Sequence, residues 1–223
     1  MSSRQAGSAG RSTPAAAAKS PRKQAAVRRP ATAEVKGAPQ GPFLVTAFEP
    51  FDGRKTNRSL LTLHRLRLQP GQESAILPVD YLALPDFMAD LLERKPRALL
   101  LMGEADRDKV SVEQVAVNIL DSETPDNAGR VVRGRPVVPD GELALRASWD
   151  ACAVADAMVA AGVPAAPSFH AGTFACNASL YLALHGLKGT DTRVGFLHLP
   201  RKALKPAMLI RAAQAAMKAL DGS

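Results

Sequence analysis

Ser168-Phe169-His170-Ala171-Gly172-Thr173-Phe174-Ala175-Cys176-Asn177 is followed by apolar residues at helical spacing: Leu180, Tyr181, Ala183, Leu184 and Leu187. Small and polar residues with a glycine separate an extended run from a helical one, which is how a strand hands over to a helix. Cys176 falls where the helix starts, among N–H groups with no intrahelical partner. The partial positive charge there favours a thiolate and predicts a lowered thiol pKa. The same position also suits a small buried hydrophobe, the commoner fate of a lone cysteine. These ten residues leave both readings open.

Outward from this junction, strands and helices alternate. Residues 192–200 read as a strand with His198 near its C-terminal end, and residues 204–220 as an amphipathic, Ala-rich helix. On the other side, residues 143–161 read as one long helix bearing Trp149, Cys152, Val154, Met158 and Val159, with Cys152 packed in the core. Residues 42–48 form a short apolar strand, broken by Glu49-Pro50-Phe51-Asp52-Gly53. Asn57 or Ser59 caps a helix running through Leu68 and ended by Pro70-Gly71. Residues 73–81 hold a second strand, with Pro78 marking its edge or its end. Pro85 suits the first turn of a helix carrying Phe87, Met88, Leu91 and Leu92.

Residues 97–103 are almost wholly apolar, as in a central parallel strand covered on both faces, and a charged loop, 104–109, follows. Val110, Val112, Val115, Val117 and Ile119 form an alternating run that Glu113 interrupts. Residues 121–140 are rich in Pro and Gly and read as an irregular excursion. The pattern predicts an α/β fold: a three-layer α/β/α sandwich around a mixed, mostly parallel sheet, with one antiparallel strand near residues 110–119.

Composition divides the chain in two. Residues 1–40 carry eight basic side chains against the single acid Glu34, so nearly all of the net charge of +8 lies there. That stretch is rich in Ala, Ser, Pro and Gly and lacks large apolar residues, which predicts a disordered basic tail, 1–41, before a folded domain, 42–223. Nucleic acid is therefore expected to bind weakly at most, and only through the tail. No run is apolar enough for a bilayer, so no membrane partner is expected. The two cysteines make neither a disulfide framework nor a zinc site, and no histidine pair has metal-ligand spacing. A reducing, cytoplasmic compartment without metal or organic cofactor is the expectation.

In open α/β sheets, ligands collect at the carboxyl ends of strands. Cys176 lies just past one such end and His198 at another, and a strand–helix–strand unit sets neighbouring strand ends side by side. A thiol nucleophile needs a base, and the base needs a third group to fix its tautomer. Glu113, an acid inside an apolar strand, is the candidate. Taken singly, Glu113 also suits the solvent side of an edge strand, and His198 a hydrogen-bonded core position.

Five blocks resemble, in order, the motifs of the pyroglutamyl peptidase I (pyrrolidone-carboxylate peptidase) family of cysteine peptidases. They are Phe48-Glu49-Pro50-Phe51-Asp52-Gly53, Val112-Glu113-Gln114-Val115-Ala116-Val117-Asn118, Pro125-Asp126-Asn127-Ala128-Gly129, Ala171-Gly172-Thr173-Phe174-Ala175-Cys176-Asn177 and Gly195-Phe196-Leu197-His198-Leu199-Pro200. The resemblance implies a peptidase that removes N-terminal pyroglutamate, with a peptide of blocked N-terminus as substrate. It implies Cys176 as nucleophile, His198 as base and later acid, and Glu113 as the carboxylate orienting the imidazole. It further implies that Phe48 and Phe51 enclose the substrate's lactam ring and that Phe174 and Ala175 line the pocket; Asp126 matches an acidic position near the family's active site, where a supporting and a purely structural role are both open. Homo-oligomers are common in that family.

The chain also departs from the pattern. Gly103-Glu104-Ala105-Asp106-Arg107 stands where the family has Gly-Gln-Ala-Gly-Gly-Arg, Glu123 where it has an arginine, and Ala178 where a histidine usually follows Cys-Asn. These changes motivate a second reading: a weakly active or inactive family member that acts as a binding protein or has altered specificity.

Overall fold

The computed structural model describes residues 41–222; the predicted disordered tail falls outside them. In chain order the elements are β1 (Phe43–Phe48), α1 (Arg58–Leu63), β2 (Gln72–Leu77), α2 (Ala83–Glu93), β3 (Ala98–Ala105), β4 (Val110–Glu113) and β5 (Val115–Val117). They continue with β6 (Leu120–Ser122), β7 (Val132–Arg135), β8 (Ala144–Arg146), α3 (Ala151–Ala160), β9 (Ala165–Ser168), α4 (Ala175–Gly186), β10 (Arg193–Pro200) and α5 (Pro206–Asp221). The main sheet has the order β2-β1-β3-β10-β4-β9. β2, β1, β3 and β10 run parallel, whereas β4 is antiparallel to β10 and β9 parallel to β4.

The mixed, mostly parallel sheet and three layers match the expectation. β1, β3 and β10 are apolar along nearly their whole length because helices cover both faces. One face packs on α1, α3 and α5 through Val45, Leu100, Leu197, Met158 and Leu209. The other packs on α2 and α4 through Leu44, Leu101, Phe196, Met88 and Tyr181. Among the described residues, no helix is long and apolar enough to cross a membrane.

Four local expectations are corrected. The first helix ends at Leu63 rather than Leu68; a turn follows, and Leu66 and Leu68 still pack against the core from outside the helix. Residues 121–140 are not wholly irregular: β6 and β7 pair as a two-stranded ribbon. The long helix expected over 143–161 begins only at Ala151. Asp150 accepts from Cys152 N and Ala153 N, so the helix starts there, while β8 pairs with β5. Cys152, expected in the core, is exposed on the outer side of that short helix.

Two buried amides hold the excursion between β4 and α3 to the sheet. Gln114 donates to Trp149 O at 2.9 Å and accepts from Ala151 N at 2.9 Å. Asn177, in the first turn of α4, donates to Val117 O and accepts from Val117 N. Trp149 then packs flat against β10 where only a glycine fits: a Cβ on Gly195 would lie 2.6 Å from the indole ring. Gly195→Ala is expected to destabilise the fold by about 1–3 kcal/mol through overpacking, read as a lower urea midpoint with an unchanged slope.

Candidate active site

Glu113 ends β4, and its register partner on β10 is Phe196. Paired residues share a face, so Glu113 projects on the side of Phe196 and His198. His198 Nδ1 lies 2.8 Å from Glu113 Oε1, with Glu113 fully buried and His198 4% exposed. A carboxylate only accepts, so Nδ1–H donates to it, and Nε2 is the nitrogen not engaged by the acid. The indole N–H of Trp149 donates to Glu113 O at 2.9 Å and fixes the strand end. Glu113 Oε2 is buried without a hydrogen-bond partner among the described residues, so His198 is the principal partner of this acid.

Cys176 is the second residue of α4, whose first-turn N–H groups receive no side-chain cap from Phe174. Its Sγ stands over Gly103 of β3, at 2.6 Å from where a Cβ would be. Gly103 is the register partner of His198. Thiol and imidazole therefore meet the same face of the sheet, the sulfur over β3 and the imidazole on β10, strands about 4.8 Å apart. The three residues singled out in the sequence come together.

Strand adjacency, however, differs from the sequence argument. β9 and β10 are not neighbours; β4 lies between them, and β9 runs opposite to β10. The intervening strand is the one that carries Glu113. Residues 169–174 bring the chain back to the sheet, held where Asp121 N donates to Thr173 O and Thr173 Oγ1 donates to Asp121 O.

The expectation of an acidic thiol is also corrected. Cys176 keeps part of its surface open, but its pKa is pushed up to about 12, foremost by burial and next by the negative charge of Glu113. Arg107 opposes this and Glu104 adds to it. Desolvation and a nearby carboxylate thus act against the lowered value expected at a helix start.

Arg107, quoted in the sequence but given no role there, proves central. Its Nη1 lies 3.5 Å from Glu113 Oε1 and donates to Ser111 Oγ and Ser168 Oγ, while Nη2 donates to His170 O. Gly103 was likewise missed. A glycine inside an apolar strand signals close approach by another group, and the sulfur is that group. His170 is exposed, its Nδ1 accepting from Gly172 N within a local turn. His64 and His185 are exposed on their helices.

The aromatic residues gather beside the thiol. Phe51 and Phe174 have ring centroids 5.6 Å apart, and Tyr81 meets Phe174 edge-on at 5.6 Å. Phe48 and Ala175 are both 2% exposed and belong to the core cluster against which Phe51 and Phe174 pack. Asp126 is buried and accepts from Tyr81 N, Ala128 N and Arg130 N, so it shapes the turn that carries it and anchors Tyr81.

The unusual acids are accounted for. Glu104 is the register partner of Leu199 and points to the opposite face from Gly103. Its carboxylate accepts from Arg54 Nη1 at 3.0 Å, Arg201 Nε at 3.2 Å and Arg58 N at 2.8 Å. Glu123 is exposed and paired with Arg133 at 2.8 Å.

These charges set the reactivity of the thiol. Alkylation of Cys176 by iodoacetamide is expected to stay slow through the pH at which ordinary thiols ionise and to climb toward about 12. Glu113→Gln removes a charge that disfavours the thiolate and should move that profile to lower pH; Arg107→Met should move it higher. A profile for Glu113→Gln that coincides with wild type would show the assignment of causes to be wrong.

The family model for pyroglutamyl peptidase matches residues 42–219. A pyrrolidone-carboxylate peptidase of Deinococcus radiodurans is 39% identical over 171 residues, 72% of this chain and 78% of that protein. One from Thermococcus onnurineus is 35% identical over 164 residues, 70% of this chain and 82% of that protein. The crystal structure of pyrrolidone carboxyl peptidase from Thermus thermophilus superposes with a TM-score of 0.76 at 38% identity, covering 80% of this chain and all of that one. With a family match over nearly the whole described fold and the thiol, imidazole and carboxylate at one face of its sheet, the chain belongs to the pyroglutamyl peptidase family.

Proposed function

We propose that this protein hydrolyses the bond after an N-terminal pyroglutamyl residue, with Cys176 as nucleophile, His198 as acid–base and Glu113 as the group that orients His198. The observation that carries the reading is the buried 2.8 Å contact between His198 Nδ1 and Glu113 Oε1, on the sheet face where Cys176 Sγ stands over Gly103.

A raised thiol pKa means that the sulfur rests as a thiol. The thiol proton passes to His198 Nε2 as sulfur attacks the pyroglutamyl carbonyl carbon, and the carbonyl π electrons move onto oxygen. First-turn N–H groups of α4 stabilise that oxyanion. The C–N bond then breaks, His198 delivers its proton to the departing peptide amine, and a thioester remains. Water attacks the thioester, giving a proton to His198. Collapse releases pyroglutamate, and the proton returns to sulfur. Glu113 stabilises the transient imidazolium without taking its proton.

A pyroglutamyl ring is flat and neutral, which suits the faces of Phe51 and Phe174 above a floor of Phe48, with Ala175 closing the side next to the nucleophile. Asp126 contributes indirectly, through Tyr81 and the turn it organises. The reading of an inactive binding protein has no observation in its favour. Glu104 points away from the thiol face with two arginines on it, and Glu123 is paired at the surface.

Purified protein is expected to release aminocoumarin from a pyroglutamyl conjugate and none from the corresponding alanyl conjugate. Cys176→Ala should abolish release, and His198→Gln should lower kcat by about 10²–10⁴. Release by Cys176→Ala at the wild-type rate would overturn the proposal.

A further inference from the structure

The loop between β1 and α1 folds back on itself next to the aromatic cluster. Arg54 N donates to Phe51 O at 3.2 Å, and the two residues between them, Asp52 and Gly53, have φ of 58° and 66°. Two successive residues of positive φ make a tight primed turn, which an Asp-Gly pair favours. The turn returns the side chain of Arg54 onto that of Phe51: Cζ lies 5.0 Å from the ring centroid.

The guanidinium is held from two sides. Nη1 donates to Glu104 Oε1 at 3.0 Å and Nη2 to Asp52 Oδ2 at 2.7 Å. Glu104 is itself rigid, its side chain 4% exposed and its two oxygens also taken by Arg201 Nε and Arg58 N. The charge of Arg54 is thereby matched by two carboxylates, which makes it a poor site for a substrate anion and a good brace. On its other side Phe51 meets Phe174, the residue that precedes α4 and Cys176. A line of contacts thus runs from a buried acid on one face of β3, around the strand's end, to the wall of the pocket on the other.

The geometry points to Arg54 as a positioning residue for substrate recognition: clamped by Glu104 and Asp52, it lies over Phe51 and fixes that ring opposite Phe174. The inference rests on the function proposed above, in which Phe51 and Phe174 hold the lactam. A ring ordered before substrate arrives lowers the ordering cost of binding, so its brace acts on KM. It also gives the acid at position 104, an amide in the family pattern, a use on this side of the molecule.

Arg54→Met keeps the aliphatic stem and removes the guanidinium, while Arg201 and Arg58 N still serve Glu104. With a pyroglutamyl-aminocoumarin substrate, KM is expected to rise about 3- to 10-fold, the range of a cation–π contact, with kcat within about twofold. In a Phe51→Leu background the same change should have no further effect on KM. Unchanged KM in Arg54→Met, or an equal rise in both backgrounds, overturns the inference.

A second readout is independent of turnover. In protein labelled with 4-fluorophenylalanine, the ¹⁹F resonance lost in Phe51→Leu identifies Phe51, and Arg54→Met should shift or broaden it. The other six phenylalanine resonances report that the fold is intact. An unmoved Phe51 resonance overturns the brace. If the wild-type protein turns over no pyroglutamyl substrate, the functional reading fails instead, and the fluorine spectrum alone decides the role of Arg54.

Discussion

The contact between Glu113 and His198 constrains the rest of the molecule. A carboxylate with no exposed surface, in the middle of an α/β sheet, costs on the order of several kcal/mol unless another group neutralises or bonds it. Here one oxygen takes the imidazole N–H and faces Arg107, and the other has no hydrogen bond among the described residues. Glu113 reaches His198 only because β4 enters the sheet antiparallel, directly beside β10. That insertion requires a way out and a way back, which is the work of the long excursion from Gln114 to Asp150. Trp149, Gln114 and Asn177 close it down with buried hydrogen bonds to backbone.

The same constraint sets the electrostatics of the Cys176 thiol. Burial and the charge of Glu113 hold Cys176 protonated, with Arg107 as the counterweight. Gly103 completes the arrangement by contributing no side chain where the sulfur must stand.

Around this centre the chain has exchanged residues without loss of its logic. Glu104 would be an intolerable charge if left alone next to the site. Instead it turns to the opposite face of β3, where Arg54 and Arg201 meet it, and through Arg54 it touches the wall of the aromatic pocket. Glu123 lies far enough out to pair with Arg133 in solvent. Charge changes that look disruptive on one line of sequence are local when each acid has its own arginine.

The sequence alone determined the class of fold, the strands that form its centre and the three residue types at its site. Apolar runs such as Ala98–Met102, the strand-to-helix junction before Cys176 and the acid inside an alternating run are local signals that survive in one dimension. It misread residues 143–161 because apolar spacing cannot tell that Asp150 caps the helix and that Trp149 packs against the sheet and bonds the Glu113 carbonyl. It misread the order of strands because pairing is a contact between distant segments, here β4 wedged between β10 and β9. The thiol's ionisation was decided by tertiary structure alone. A helix N-terminus is written in the sequence, but desolvation and the approach of Glu113 exist only once the sheet has assembled around the sulfur.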